Sequence, residues 1–296
     1  MEALPARGMP GCELAVSYMG KQVYRKRVGY SDAAGTRPTS ENDLYWVFSV
    51  SKITTCVSAM RLVEEGKLRL DDPVSKYLPA YAHLTVLQLD GSVRPAQNVM
   101  TVEHLFLMTA GLDYDFSHAA FTRARSIPNV STQEIANALA MSALRFEPGT
   151  RYLYSLCHDV LAAVVEVAAG ERFCDYVQRT VFTPLGMNDS SYHPSPEAKA
   201  RIADMYHHIH GLYQAEPTES TTRYNFSDRY DSGGAGVCSS VTDQLRLMTV
   251  LANGGSTEDG YSLLKPETIA MMQVNRLPLE ARPSFNPTRL FGYGWG

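Results

Sequence analysis

Alternating apolar and polar positions predict two β-strands near the start of the chain. Residues 12–18 and 22–30 both alternate in this way, and Gly20 and Lys21 between them are typical of a hairpin turn. A further apolar run, residues 44–48, ends at Ser49. Only the first two strands are clear, and two strands are too few for a sheet that is stable by itself.

After Ser49 the apolar positions follow a helical period. They recur every three or four residues as far as Glu65, and Gly66 supplies a stop signal. Similar periods and capping residues predict further helices over residues 101–108, 131–144, 156–169, 173–182 and 240–253, and a short one from Pro266. Residues 188–235 are polar with little periodicity and are predicted to form a long irregular excursion. A chain that begins with strands and continues with helices favours an α+β fold or a helical insertion in a sheet domain.

Composition indicates a soluble globular protein. Of the 296 residues 45% are hydrophobic and 20% charged, and 27 basic against 31 acidic residues give a net charge of −4. No basic run suggests a nucleic-acid partner or a membrane surface. The longest apolar stretch, residues 160–169, covers about half a bilayer and contains Glu166, so no membrane span is predicted.

The cysteines and the first residues bear on the compartment. The five cysteines are odd in number, widely spread and without a C-x-x-C pair, so they indicate neither a disulfide framework nor a zinc site. The first residues lack the basic and apolar regions of a signal peptide. We therefore expect a cytoplasmic protein. The sequence does not indicate an oligomeric state.

Candidate chemistry centres on Ser49 and Lys52. Ser49 lies where the apolar run ends and a helix begins, so the free N–H groups and the helix dipole favour negative charge beside it. Lys52 lies on the same helical face, within reach of the serine hydroxyl, and an amine there can take up the serine proton. An N-cap serine followed by a surface lysine has the same spacing. Ser262 and Lys265 repeat that spacing, but their helix begins only at Pro266, so we interpret Ser262 as structural.

Other chemical motifs are absent or weak. The sequence contains no G-x-S-x-G elbow, no phosphate-binding G-x-x-x-x-G-K-[ST] and no H-E-x-x-H zinc motif. His207, His208 and His210 cluster without a carboxylate or thiol at ligand spacing, so no metal and no cofactor is predicted. The glycine-rich residues 233–236 are interpreted as a flexible turn.

A series of short segments accompanies Ser49 in a characteristic order. They are FSVSK (48–52), LVEEGKLRLDDPV (62–74), YLP (77–79), HLFLMTAGL (104–112), FEPGT (146–150), YS (154–155), PLGM (184–187) and GYGWG (292–296). Together they resemble the serine β-lactamase and penicillin-recognising hydrolase family. The likeness is closest to its class C branch, which includes class VIII-type carboxylesterases and D-alanyl-D-alanine carboxypeptidases.

The resemblance implies specific roles for residues of this chain. Ser49 is implied to be the acylated nucleophile, Lys52 its proton partner, and Tyr154 a base or proton shuttle. Tyr152 is the alternative to Tyr154, although it stands where the family has a packing aromatic. Leu156 stands where the family has an asparagine that helps to bind the substrate. His158 follows Tyr154 by one helical turn and is a candidate to line the substrate site, the alternative being a helix-start histidine that is satisfied by the backbone. The implied substrate is a small ester, amide or β-lactam.

The sequence departs from the family at two motifs. The usual Tyr-x-Asn is Tyr154-Ser155-Leu156, which resembles the esterase-like members and weakens a β-lactamase assignment. The third motif, Lys-Thr-Gly or His-x-Gly, is not found at a matching position, because His210-Gly211 comes too early. We expect that motif and its strand to follow Gly296. The prediction is therefore one incomplete domain of β-lactamase/transpeptidase-like fold over 1–296. Residues 1–95 and 236–296 form its α/β part and residues 96–235 its mainly helical part, with C-terminal strands missing.

Three functions remain open from the sequence. A carboxylesterase-like serine hydrolase is favoured by Leu156 and by the lack of an export signal. A β-lactamase or D-alanyl-D-alanine carboxypeptidase shares the same nucleophile. An inactive fragment or a non-catalytic binding relative is the alternative that the missing third motif favours.

Overall fold

The computed structural model describes residues 1, 5, 8–209, 212–215 and 226–285. Its strands in chain order are β1 (Gly11–Tyr18), β2 (Lys21–Gly29), β3 (Tyr45–Trp46), β4 (Thr85–Leu87), β5 (Val93–Pro95), β6 (Tyr206–Ile209), β7 (Leu212–Ala215) and β8 (Cys238–Ser239). Its α-helices are α1 (Ser51–Glu64), α2 (Val102–Phe106), α3 (Ala119–Arg125), α4 (Thr132–Leu139), α5 (Cys157–Ala169), α6 (Phe173–Val177), α7 (Pro196–Lys199), α8 (Val241–Ala252) and α9 (Pro266–Met272). His210 of the histidine cluster and the GYGWG segment at residues 292–296 lie outside the described residues.

Helices mixed with small antiparallel sheets confirm the predicted α+β class. The hairpin of β1 and β2 has the predicted position, with Cys12 opposite Val28. β3 pairs with β8, β4 with β5, and β6 with β7, so each sheet among the described residues has two strands. The further strands were not clear in the sequence, because strands of two to four residues are too short to show an alternating period.

The chain divides into two compact units. The first, called the strand unit, comprises Met1–Phe48, Gln178–Tyr224 and Gly236–Leu263. The second, called the helical unit, comprises Ser49–Val177, Asn225–Ala235 and Leu264–Gly296. The predicted division at residues 95 and 235 stays a prediction.

In the strand unit, α8 packs against β1. The Ser240 hydroxyl accepts the N–H of Asp243, which is the N-cap that the sequence predicts for α8. Arg25 on β2 donates to Thr242 at 2.8 Å and pairs with the buried carboxylate of Glu13 on β1. The helix is thereby joined to the hairpin by a polar contact as well as by packing.

The helical unit is built around α5. Its residues 157–165 are all buried, and α1, α2, α4 and α6 pack against it. A helix that is buried on all sides over this length needs other elements around it. It ends at Gly170, whose φ of 72° is the left-handed conformation that glycine adopts at low cost.

Three predicted boundaries need correction. The helix opened by the Ser131–Glu134 capping box ends at Leu139, before residue 144, because the backbone of Leu144 hydrogen-bonds with Thr85 and Leu87 beside β4. The helix after Thr101 ends at Phe106, since Met108 has a φ of 53°. The predicted excursion 188–235 contains α7 and the β6–β7 hairpin, whose four-residue strands are held by backbone pairing.

Candidate active site

Ser49 lies on an exposed turn at the start of the helical unit. The 3-10 turn Phe48–Val50 leads directly into α1, and Phe48 has a φ of 41°, which is uncommon for a residue with a side chain. Strained backbone of this kind is concentrated at functional sites. The turn leaves Ser49 exposed beside the N-terminus of a 14-residue helix, where the helix dipole favours negative charge.

Lys52 lies one helical turn further on and is almost completely buried, with 6% of its surface exposed. Its Nζ lies 3.2 Å from Ser49 Oγ, as the spacing predicts. The same nitrogen donates to the carbonyl oxygen of Gly234 at 2.7 Å and lies 3.5 Å from the Tyr114 hydroxyl. Three oxygens therefore surround the Lys52 nitrogen, and the two hydroxyls among them can either donate or accept a hydrogen bond.

Tyr154 completes the arrangement around Ser49. Its hydroxyl oxygen lies 2.5 Å from Ser49 Oγ, and either oxygen can be the donor. Lys52 Nζ lies 4.9 Å from the centre of the Tyr154 ring. The ring also stacks on Tyr114, with centroids 5.6 Å apart and planes 28° apart. The structure thus places both Lys52 Nζ and the Tyr154 hydroxyl within hydrogen-bonding distance of Ser49 Oγ.

The segment before α5 positions Tyr154. The N–H of Leu153 donates to the carbonyl oxygen of Met108 at 3.0 Å, and the N–H of Gly149 donates to the carbonyl oxygen of Thr109 at 2.8 Å. Gly149 has a φ of 88°, and a Cβ there would lie 2.9 Å from Nε2 of His104. The segment therefore depends on a glycine where it runs past α2.

Tyr152 points elsewhere. Its ring packs against Phe285, with centroids 5.0 Å apart, and its N–H donates to Ser284 Oγ at 2.6 Å. It belongs to a small apolar cluster with Leu277 and Ala281. This is the packing position that the resemblance implies for it.

Leu156 is the N-cap residue of α5 and His158 lies in its first turn, and each is 3% exposed. His158 Nε2 lies 3.2 Å from the thiol sulfur of Cys56. Burial, together with the charge of Lys52, lowers the pKa of His158 to about 3, and burial raises the pKa of Cys56 to about 12. Both groups are therefore uncharged at neutral pH. In this conformation Leu156 and His158 belong to the interior of the unit, and their substrate-binding roles stay predictions.

Residues 230–235, called the glycine strap, pack against α1 and α5. The carbonyl oxygen of Gly233 accepts from Thr55 at 2.7 Å, and that of Gly234 accepts from Lys52. A Cβ on Gly233 would lie 2.3 Å from the carbonyl oxygen of His158. The predicted turn is confirmed at residues 233–235, but it is not an exposed loop, because every residue of the strap is buried. Two adjacent glycines are themselves a signal of close backbone approach.

Tyr114 and Gly234 are the partners of Lys52 that sequence reasoning missed. Tyr114 lies in a loop without periodicity, and Gly234 binds through its backbone, so neither leaves a side-chain pattern in the sequence. The groups that meet at Ser49 are hydroxyls, an amine and a carbonyl. Zinc sites take thiolate, imidazole and carboxylate ligands, so this donor set favours proton transfer over metal binding.

Comparison with known proteins agrees with this architecture. The Beta-lactamase family model matches residues 1–296. Esterase EstB of Burkholderia gladioli is 31% identical over 297 residues, which cover 91% of this chain and 70% of EstB. The solved structure of EstCE1, "a hydrolase with promiscuous acyltransferase activity", has a TM-score of 0.79 and 27% identity, covering 99% of this chain and 78% of its own.

A second solved structure extends the likeness of the fold. Simvastatin synthase of Aspergillus terreus has a TM-score of 0.77 at 24% identity, over 95% of this chain and 72% of its own. Separately, none of the helices within the described residues has the length and apolar character needed to cross a membrane. From the family model over all its residues and the identity to EstB, this chain belongs to the β-lactamase family, whose relatives here include hydrolases and esterases.

Proposed function

We propose that this protein is a serine hydrolase that forms an acyl-enzyme on small carboxylic esters, with Ser49 as the nucleophile. One observation carries the proposal: Lys52 Nζ and the Tyr154 hydroxyl approach Ser49 Oγ to 3.2 and 2.5 Å. A serine hydroxyl is a weak nucleophile until a neighbouring group takes its proton. Two proton-transfer groups within reach of one exposed serine supply that activation.

In the acylation step, Ser49 Oγ bonds to the ester carbonyl carbon and gives its proton to the Lys52–Tyr154 pair. The carbonyl oxygen becomes an oxyanion, and the N-terminus of α1 favours its negative charge. The bond from the carbonyl carbon to the alcohol oxygen then breaks. Tyr154 delivers the proton to that oxygen, so the alcohol leaves neutral and the acyl group remains on Ser49.

The second step returns the enzyme to its starting state. A water molecule takes the place of the alcohol and gives a proton to the same pair as its oxygen bonds to the acyl carbon. The bond to Ser49 Oγ breaks, the pair returns a proton to the serine, and the carboxylic acid is released. One pair thus acts as base and then as acid in each step, as general acid–base catalysis requires.

Esters are proposed ahead of β-lactams for two reasons. Leu156 stands where the β-lactam-binding members have an asparagine, and its buried side chain offers no amide to a substrate carbonyl. EstB, which is 31% identical, is named an esterase. Hydrolysis of a β-lactam such as nitrocefin is the competing outcome.

Turnover of p-nitrophenyl butyrate by the purified protein and by Ser49→Ala tests the proposal. We expect the wild type to release p-nitrophenol and Ser49→Ala to lose this activity, and we expect a fluorophosphonate probe to label Ser49 alone. Ser262→Ala is the matched control, because Ser262 has the same spacing to a lysine and is expected to keep full activity. Equal turnover by Ser49→Ala would refute the proposal, and faster turnover of nitrocefin than of any ester would replace the esterase assignment.

A further inference from the structure

Asp159 is a buried carboxylate with no part in the chemistry described so far. It lies on α5 and is 2% exposed. Its Oδ1 accepts hydrogen bonds from the Tyr230 hydroxyl at 2.7 Å and the Ser232 hydroxyl at 2.6 Å, and the N–H of Gly234 points to it at 3.4 Å. All three donors belong to the glycine strap. A buried carboxylate is tolerated only when such donors replace water.

The strap meets Asp159 on one side and Lys52 on the other. Within one residue, the N–H of Gly234 is directed at Asp159 and its carbonyl oxygen accepts from Lys52 at 2.7 Å. The fit is close, because a Cβ on Gly234 would lie 2.5 Å from Asp159 Oδ2. The position of the Gly234 carbonyl therefore depends directly on where the carboxylate holds the strap.

We infer that Asp159 is a positioning residue for the reaction, acting on Lys52 through the Gly234 carbonyl; this inference rests on the function proposed above. A lysine side chain has four rotatable bonds, and holding it in one conformation costs entropy that fixed partners must offset. The Gly234 carbonyl is the nearest of the partners described for Lys52, at 2.7 Å against 3.2 Å to Ser49. A displacement of about 1 Å at a catalytic group can reduce the rate by about 100-fold.

A purely structural role predicts a different result. If Asp159 only stabilised the fold, its removal would lower the amount of folded protein but leave the folded molecules equally active. A positioning role predicts a lower kcat in molecules that are folded, with an unchanged KM, because the buried Asp159 acts on Lys52 and is not exposed to substrate. The two roles therefore separate in the kcat per folded molecule, measured where circular dichroism shows that both proteins are folded.

The experiment compares Asp159→Ala and Asp159→Asn with the matched control Asp243→Ala. Asp243 is also 2% exposed and also binds a serine hydroxyl and a backbone N–H, but it lies in the strand unit. With p-nitrophenyl butyrate we expect a loss in kcat of about 100-fold for Asp159→Ala with KM within twofold. Asp159→Asn keeps an acceptor oxygen at Oδ1 and is expected to recover kcat to within fivefold of wild type. Asp243→Ala is expected to lose stability and keep its kcat.

Milder variants keep the inference testable if Asp159→Ala does not fold. Tyr230→Phe and Ser232→Ala each remove one donor to Asp159, and each should lower kcat several-fold without changing KM. When either variant is combined with Asp159→Asn, the losses in kcat should be non-additive, since all three substitutions act through the same contact between the Gly234 carbonyl and Lys52. Folded Asp159→Ala or strap variants with wild-type kcat overturn the inference, as does an equal loss in Asp243→Ala. If Ser49→Ala is inactive but the Asp159 and strap variants keep wild-type kcat, the proposed function stands and only the inference about Asp159 fails. If Ser49→Ala is active, both the proposed function and the inference fail.

Discussion

The hydroxyl oxygen of Tyr154 lies 2.5 Å from the hydroxyl oxygen of Ser49, although 105 residues separate the two in the chain. Ser49 belongs to a turn before α1, and Tyr154 precedes α5. The packing of α1 against α5 brings the two chain segments together. Each hydroxyl thus holds the other where a proton can pass between them.

Removing the Tyr154 hydroxyl should impair catalysis and leave the fold intact. In Tyr154→Phe the ring can still stack on Tyr114, so little stability should be lost. We expect kcat for p-nitrophenyl butyrate to fall by about 10²–10⁴-fold, the usual contribution of a general acid or base. Tyr152→Phe is the control and should keep wild-type kcat, because Tyr152 packs against Phe285. A larger loss of kcat in Tyr152→Phe than in Tyr154→Phe would assign the proton-transfer role to Tyr152 instead.

Removing the Lys52 amine tests the other partner of Ser49. Lys52→Met keeps most of the buried alkyl chain but removes the nitrogen that contacts Ser49, and should lower kcat by about 10²–10⁴-fold. Labelling of Ser49 by the fluorophosphonate should slow in parallel, because it depends on the same activation. Lys76→Met removes a solvent-exposed amine paired with Asp72 and should change neither rate. A Lys52→Met protein that labels at the wild-type rate contradicts the assignment.

The buried histidine predicts how stability depends on pH. The pKa of His158 in the fold is lowered to about 3, against 6.5 for an ordinary histidine. Between these values the unfolded chain binds a proton that the folded chain does not, so stability is lost as pH falls from 6.5 towards 3. One proton contributes a slope of up to about 1.4 kcal/mol per pH unit. In urea titrations from pH 4 to 8, His158→Gln should flatten this slope. An equal slope in wild type and His158→Gln contradicts the prediction.

Two glycines with positive φ allow the energetic cost of a left-handed backbone to be measured apart from the cost of a steric clash. Gly170 has a φ of 72° with open space around it, whereas at Gly111, with a φ of 85°, a Cβ would lie 2.5 Å from the carbonyl oxygen of Phe146. Gly170→Ala should lower the free energy of unfolding by about 1–2 kcal/mol, the cost of the left-handed conformation alone. Gly111→Ala should lower it clearly further, because the backbone at Phe146 must also move. Equal shifts of the urea midpoint would mean that the contact at Phe146 relaxes without cost.

The local features of the molecule followed from its sequence. The hairpin of β1 and β2, the capping box of Ser131 with Glu134, and the N-cap of α8 depend on residues a few positions apart. The distance between Ser49 and Lys52 is of the same kind, since residues three apart in a helix lie on one face. Short strands such as β3 escaped prediction, because two residues cannot show a period.

Only the tertiary structure shows which residues from distant parts of the chain contact Ser49 and Lys52. The family resemblance drew attention to Tyr154, but only the packing of α5 against α1 sets its distance from Ser49. The contacts of Lys52 with Tyr114 and Gly234, and the hold of Asp159 on the glycine strap, join segments that are far apart in the chain. Backbone carbonyls accept hydrogen bonds whatever the side chain is, so such contacts cannot be predicted from residue types in the sequence. The nucleophile and its lysine were therefore visible in the sequence, whereas the groups that surround them became visible only in the fold.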